Sequence, residues 1–394
     1  MKIAEINQLG KELELYTTLD YIGKGFPIVL PRGARIIKLI RNYVENIEEQ
    51  NGYKIVRTPS ISNSEIYKIE DRYELEKKEL FVIKNDENES NEIVLKPYVQ
   101  PFHCSIYKSN HHSYKELPIK YCETSTVFRN ERDIKGIIKT RQITLSDSSI
   151  FCTPEKLERE IKDAIELQRK IIKKIGLDIE YCIETWNDTK KEEYIGNISE
   201  WENATNAMKS VLNDLKIEYK VEKNARMYGP AIKVLYKEMD FSSLQIDFEI
   251  SHRFDLHYTD KDNVSKFPIY MHNTLIGSYE GLLGILIEKY EGNFPLWFNP
   301  VQILIVTDSE EFDDYAKKIK VVLESIQHDA IRVEIDNSSI SKQNKLDKAK
   351  KLRIPYILTI GKKELNNETI TVNEEKIYKL NEFIEEVEKW QTQF

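Results

Sequence analysis

Between residues 33 and 48, apolar side chains fall at Ile36, Ile37, Leu39, Ile40, Tyr43, Val44 and Ile47. That spacing is close to the roughly 3.6 residues that put them on one helical face. Gly52 stops the predicted helix, Tyr53-Lys54-Ile55-Val56 reads as a strand, and Pro59 ends it. The charged stretch between Asp71 and Asn91 reads as a hairpin or loop. Strand-like runs recur at 93–99, 118–129, 140–152 and 243–257. Thr153-Pro154-Glu155 suits a helix start, with threonine as cap and proline in the first turn, and this helix should reach Lys174 and stop at Gly176. Another runs from about Ser199 to Leu215, and Gly277 opens one that continues through Lys289. Many strands among few helices predict an α+β domain built on a mainly antiparallel sheet with flanking helices.

A different rhythm begins at Gly292-Asn293-Phe294-Pro295-Leu296-Trp297-Phe298-Asn299-Pro300. Strand 301–307, helix 309–326, strand 330–335, helix 342–352 and strand 355–360 alternate, which predicts a small, largely parallel α/β sheet. The predicted domains are therefore 1–295 and 296–394.

Composition narrows the class. The 58 basic and 66 acidic residues give a net charge of -8, so RNA contact would need local patches and not a basic coat. Cys104, Cys122, Cys152 and Cys182 form no CxxC pair and suggest neither a disulfide framework nor a zinc knuckle. His103, Cys104, His111 and His112 crowd ten residues without a zinc spacing, and His111-His112 reads as loop. Neither a signal peptide nor a run of about 18 apolar residues occurs, so a cytoplasmic protein without membrane contact is expected.

Candidate chemistry gathers around one hairpin. Arg129-Asn130-Glu131 closes a strand, the polar loop Arg132-Asp133-Ile134-Lys135-Gly136 follows, and a strand from Ile137 would carry Lys139 and Arg141 on one face. Guanidinium forks bind phosphate oxygens bidentately, so the set suits a phosphate clamp, though taken alone the motif reads first as a solvated hairpin. The arrangement resembles motif 2 of class II aminoacyl-tRNA synthetases, and the chain is similar to the threonyl-tRNA synthetases almost end to end. The matching stretches include Leu9-Gly10-Lys11-Glu12-Leu13, Leu95-Lys96-Pro97, Phe128-Arg129-Asn130-Glu131, Tyr228-Gly229-Pro230, Leu244-Gln245-Ile246-Asp247-Phe248 and Gly284-Ile285-Leu286-Ile287-Glu288. The last domain resembles that family's anticodon-binding domain. No counterpart of the family's editing region is expected, since Met1 lies just before the core.

The resemblance implies that Arg129 is the catalytic arginine, binding the ATP α-phosphate and the amino-acid carboxylate. It implies that Glu131 reads adenine and that Lys139 and Arg141 assist at the phosphates. Asp147, Tyr228 and Gln245 match positions that hold or line the amino acid, and the 33–59 region resembles motif 1, which implies a homodimer. Three departures accompany these matches. The family's zinc ligands, one cysteine and two histidines, fall at Gln100, Ser149 and His272, so no zinc is predicted there and these three become candidate amino-acid contacts. The motif 3 arginine falls at Gly281, the adenine-stacking aromatic at Ile143, and a lysine at Ala231. An arginine-rich anticodon strand becomes Thr371-Val372-Asn373-Glu374-Glu375-Lys376, whose acids make tRNA binding doubtful, although Lys342, Lys345, Lys348, Lys350 and Lys351 form a candidate basic face. These departures lead to an expected synthetase-like protein with lost or altered aminoacylation, binding an amino acid or related metabolite. The alternative is a zinc-free ligase using ATP with magnesium.

Overall fold

The computed structural model describes residues 1–70, 73–83, 92–326 and 331–391. The chain divides into two compact units, one formed by Met1–Ile40 with Leu283–Phe394 and the other by Arg41–Leu282.

Unit Arg41–Leu282 is organised on one sheet, with eight strands among the described residues. Across it run Tyr219–Glu222, Glu180–Glu184, Ala231–Tyr236, Met239–Asp247, Ile269–Ile276, Gln142–Cys152, Ile119–Phe128 and Lys54–Ile55. Only the two outermost pairings are parallel; the others are antiparallel. The sheet is thus the mainly antiparallel one that the strand pattern predicts. Helix Leu157–Ile175 packs on one face with helix Ile198–Asp214 beside it. Gly176 terminates the former in a left-handed conformation, as its position after the last apolar residue predicts. On that face Gln168 Nε2 donates to Asn273 Oδ1 at 2.8 Å.

The opposite face carries the candidate site, because side chains alternate along a strand. Its cover is helix Gln100–Lys108, an element the strand-like reading of 93–99 did not anticipate. The strand there is only Ile93–Leu95, and Pro101 then sits in the first turn of the helix, where a missing N–H costs nothing. Cys104 and Tyr107 from this helix pack with Leu117, Tyr121, Phe151 and Tyr270 in a buried cluster. All four cysteines are buried and free.

Two further boundaries differ from the sequence reading. The strand expected to reach 257 ends at Asp247, whose Oδ1 accepts from the backbone N–H groups of Glu249 and Ile250 and turns the chain into helix Ile250–Arg253. The strand expected from Ile137 begins at Gln142, so Lys139 and Arg141 lie in the preceding loop and not on a strand face. Much of the loop expected between Asp71 and Asn91 lies outside the described residues, as does residue 330 of one predicted strand.

In the unit Met1–Ile40 with Leu283–Phe394, strands Val333–Asp336, Ile303–Thr307 and Tyr356–Ile360 are parallel, as their alternation with helices predicts. Beyond them Thr369–Val372 and Lys376–Lys379 add an antiparallel hairpin, so the sheet is mixed and not largely parallel. The hairpin turn holds Asn373 and Glu374 at φ +51° and +59°. On helix Lys342–Lys351, Lys345 faces inward and donates to the Thr307 carbonyl at 3.1 Å, Lys342 pairs with Asp308 at 2.8 Å, and Lys350 pairs with Glu374. The candidate basic face is therefore partly spent on internal partners. No helix among the described residues is long and apolar enough to cross a membrane.

Candidate active site

Strand register assembles the amino-acid group of candidates. Gln245 lies opposite His272, His272 opposite Ser149, and Ser149 opposite Tyr121, so four neighbouring strands contribute to one row. Two residues along, Asp147 lies opposite Thr274 and Glu123. Gln100, at the start of the covering helix, brings its amide nitrogen to 3.0 Å from His272 Nδ1 and 2.9 Å from Nε2. Gln100, Ser149 and His272, which the sequence resemblance sets at the zinc-ligand positions, therefore lie close together on this face.

Asp147 is buried and accepts from Thr274 Oγ1 at 2.5 Å, while His272 Nε2 lies 3.2 Å from Asp147 Oδ1. Burial pushes the Asp147 carboxyl up, but His272, Thr274 and Arg129 outweigh it and hold the pKa below the usual range. An ionised Asp147 in contact with His272 Nε2 calls for a proton on that nitrogen.

Ser149 is placed differently from a pocket-lining group. Its hydroxyl is wholly buried, 2.9 Å from His103 Nδ1 and 2.9 Å from Tyr270 Oη. His103 in turn points Nε2 toward Glu123 Oε2 at 3.6 Å. Glu123 also accepts from the Thr58 N–H at 2.9 Å and Thr58 Oγ1 at 2.8 Å, and pairs with Lys96 at 3.2 Å. A buried polar layer thus underlies the row. His103, grouped in the sequence with neighbouring histidines as a metal candidate, belongs to this layer. Its position three residues after Gln100, on the same helical face, was the available clue.

These donors do not fit a catalytic zinc. Such a site takes thiolate, imidazole or carboxylate from three residues. Here one ligand is a carboxamide, one a hydroxyl already engaged on both sides, and one an imidazole held by Asp147 and Gln100. Among the described residues, no group of three His, Cys, Asp or Glu side chains could hold a metal ion.

The phosphate group of candidates sits at the hairpin. The Arg129 N–H donates to the Arg141 carbonyl at 2.8 Å, Arg141 Nε donates to the Glu131 carbonyl at 3.0 Å, and Lys139 pairs with Glu131 at 3.2 Å. Arg129 Nε donates to the Pro97 carbonyl at 3.3 Å, yet the side chain remains open to solvent on one side. Desolvation lowers its pKa, Asp147 opposes that, and Arg226 adds to it. Arg226 is therefore a second guanidinium at this cleft, one that sequence reasoning missed because an exposed loop arginine resembles any surface cation. Two such groups favour an anion, phosphate above all. Arg226 and Tyr228 sit on the loop that leads into strand Ala231–Tyr236. Gly229 is required within that loop, since a Cβ there would lie 2.1 Å from the Ile246 carbonyl oxygen.

Gly281 is closely surrounded: a Cβ there would lie 3.1 Å from the Ile138 carbonyl oxygen and 3.3 Å from Ser278 Oγ. The Gly281 N–H donates to Ser278 Oγ at 2.8 Å, and neighbouring Glu280 accepts from the Thr144 N–H at 2.8 Å.

Residues 73–290 match the model of the tRNA synthetase class II core domain (G, H, P, S and T), and 301–390 match that of the anticodon binding domain. The chain is 38% identical over 380 residues to a threonine–tRNA ligase of Clostridium perfringens, covering 94% of this chain and 59% of that protein. With one from Aquifex aeolicus it shares 34% identity over 385 residues, covering 95% of this chain and again 59% of the relative. It thus spans about three-fifths of the length of these relatives. Its fold matches the crystal structure of the RNA binding domain of threonyl-tRNA synthetase from Cryptosporidium parvum, with TM-score 0.87, 25% identity and 98% of each chain covered. With a mainly antiparallel sheet, both family models matched and relatives named as threonine–tRNA ligases, the chain belongs to the class II aminoacyl-tRNA synthetase family and carries its core domain and anticodon-binding domain.

Proposed function

We propose that this chain is a threonyl-type synthetase homologue whose aminoacylation is lost or altered and whose pocket binds an amino acid or a closely related small metabolite. The observation that carries the reading is Gly281, which stands where the family's motif 3 arginine is expected and where an added Cβ would lie 3.1 Å from the Ile138 carbonyl oxygen. A charge-assisted bond contributes about 1.5–3 kcal/mol, and about 1.4 kcal/mol of barrier is tenfold in rate, so losing a bidentate arginine costs on the order of a hundredfold. The second reading is an active ATP- and magnesium-dependent ligase that works without zinc. Arg226 beside Arg129 favours it, since a second guanidinium can share the phosphate charge. In both readings Arg129 binds phosphate, Glu131, Lys139 and Arg141 frame the nucleotide, and Asp147, Tyr228, Gln245, Gln100 and His272 face the amino acid, with Ser149 supporting from beneath.

The protein is further read as a cytoplasmic homodimer through its motif 1 region. Support comes from isoleucines left exposed there, Ile55 at 44% and Ile61 at 56%, on short strands that a second copy would cover. A domain boundary near 292–300 agrees with the gap between the two matched regions. Binding of tRNA is disfavoured by Glu374 and Glu375 on the last hairpin and by the internal partners of the helix lysines. Amino-acid-dependent ATP–pyrophosphate exchange across the standard amino acids tests the choice. Background rates with all of them support the first reading, and robust exchange with any one replaces it with the second.

A further inference from the structure

One acidic side chain of the unit Arg41–Leu282 lies where an ionised group has almost nothing to hold it. Glu48, near the end of helix Pro31–Gln50, is 1% exposed. Its Oε2 meets Ser146 Oγ at 3.3 Å and its Oε1 has no partner. The neighbours supply no spare cation. On the same helix Arg41 turns to Glu45 at 3.7 Å, and Glu45 adds negative charge. Lys120, from strand Ile119–Phe128, is taken by Glu160 of helix Leu157–Ile175 at 2.6 Å. Tyr53, Cys122 and Tyr279, the other titratable groups facing Glu48, are buried and neutral. Gln168 and Asn273, also on this face, bond to each other. Desolvation without a counter-ion keeps such a carboxyl in its neutral, protonated form.

Ser146 and Asp147 are consecutive on strand Gln142–Cys152 and so point to opposite faces of the sheet. Glu48 reaches the strand from the helix side, while Asp147 stands in the cleft, buried and ionised. Pairing with the neighbouring strand is interrupted here: Asp147 lies opposite Thr274 and Ser146 opposite Ile276, with Leu275 skipped. Thr274 is also the residue that donates to Asp147. Two successive strand positions thus serve a carboxyl kept neutral on one face and a carboxylate kept charged on the other. The negative charge of Asp147 adds to the cost of ionising Glu48.

We infer that Glu48 is a proton switch behind the cleft, holding its proton while the Asp147 charge stands unanswered by a ligand and yielding it more readily once a cation binds there. The coupling is reciprocal. A ligand ammonium beside Asp147 loosens the Glu48 proton, so an ionised Glu48 in turn strengthens binding of that ammonium. Affinity for such a ligand therefore rises as pH climbs through the Glu48 transition. Charge is felt through the sheet, so the two faces communicate without any movement of the strand. The ligand half rests on the reading of this pocket as an amino-acid site; the coupling of the two carboxyls does not. Glu48 touches no substrate, and its role is regulatory.

Carboxyl-carbon NMR titration of the full chain, labelled at its glutamate side chains, tests the coupling, with the Glu48 signal identified by its loss in Glu48→Gln. Its midpoint should lie above the ordinary carboxylate range. Asp147→Asn should lower that midpoint by about half a pH unit or more, while the charge-conserving Asp147→Glu leaves it nearly in place. An ordinary midpoint in the parent, or one that Asp147→Asn does not lower, overturns the inference. Isothermal titration with threonine, below and above that midpoint, reads the same coupling with Asp147 intact, and so decides the matter even where Asp147→Asn fails to fold. The ratio of parent to Glu48→Gln affinity should rise about two- to threefold across the transition. A flat ratio overturns the switch and leaves the amino-acid site standing. Failure of threonine to bind removes the amino-acid reading, and the NMR comparison then decides the coupling alone.

Discussion

The buried pair of Lys96 and Glu123 permits a quantitative test of what holds the site together. Their side chains are 2% and 5% exposed and meet at 3.2 Å. Lys96 Nζ also donates to Thr58 Oγ1 at 2.9 Å and to the Thr58 carbonyl at 3.3 Å. Glu123 has more support, since the Thr58 N–H and hydroxyl both donate to it and His103 stands beside it. Burial pushes its pKa up, but these groups and Lys96 outweigh burial and bring it below the usual carboxylate range. The two partners should therefore respond unequally. Glu123→Gln keeps the shape but leaves an ammonium in a dry setting with neutral acceptors only, for which about 3–5 kcal/mol of destabilisation is expected. Lys96→Met leaves a carboxylate that retains its Thr58 donors, so only the charge-assisted contact is lost, about 1.5–3 kcal/mol. In the double variant neither charge remains, and its cost should fall below the sum of the singles by about 1–3 kcal/mol. At roughly 2–4 °C per kcal/mol, Glu123→Gln should lower Tm by about 6–20 °C. Urea melts followed by circular dichroism measure all three variants. A loss below about 1 kcal/mol for Glu123→Gln, or strict additivity in the cycle, would refute the account.

Glu48 should make stability depend on pH. Its carboxyl is buried, with Oε1 unpaired and Oε2 accepting from Ser146 at 3.3 Å, and burial raises its pKa well above the ordinary carboxylate value. A raised pKa means the folded state holds the proton longer, so this contribution is fully present at acid pH and is lost as pH rises from the unfolded value through the folded one. Glu48→Gln should therefore match the parent near pH 5 and exceed it in Tm near pH 8; a pH-independent difference would contradict the assignment. Arg129→Ala should weaken binding of a non-hydrolysable ATP analogue by about tenfold to a hundredfold in calorimetry, and an unchanged affinity would remove Arg129 from the phosphate site. Gly281→Arg should cost about 1–3 kcal/mol through crowding against Ile138 and Ser278, read as a lower Tm. Unchanged Tm together with much tighter ATP binding would show that the loop yields freely. Ile61→Asp should shift a dimer to monomer in sedimentation equilibrium, and a parent chain already monomeric would end the motif 1 dimer reading.

Elements with long periodic patterns were legible in the sequence, among them strands Ile119–Phe128 and Gln142–Cys152 and helix Leu157–Ile175. Helix Gln100–Lys108 was not, because nine residues opening on Gln-Pro carry little periodicity and the preceding apolar run suggested strand. The end of the Gln245 strand depended on one side chain, Asp247, turning back on its own backbone, which no apolar pattern records. Candidate residues on the sheet could be matched in order along the chain, and strand register then brought Gln245, His272 and Ser149 into one row. What the sequence could not convey was depth. Ser149 and His103 look like any polar residues until Tyr270 and Glu123 close around them, and Arg226 acquires meaning only from its electrostatic effect on Arg129.

Gly281 sets a condition on any attempt to engineer this corner of the cleft. A Cβ at position 281 would already lie 3.1 Å from the Ile138 carbonyl oxygen, so an arginine introduced there alone meets backbone that must give by a few tenths of an ångström. Installing a cation at this corner therefore calls for a paired change, one at 281 and one in the loop that carries Ile138.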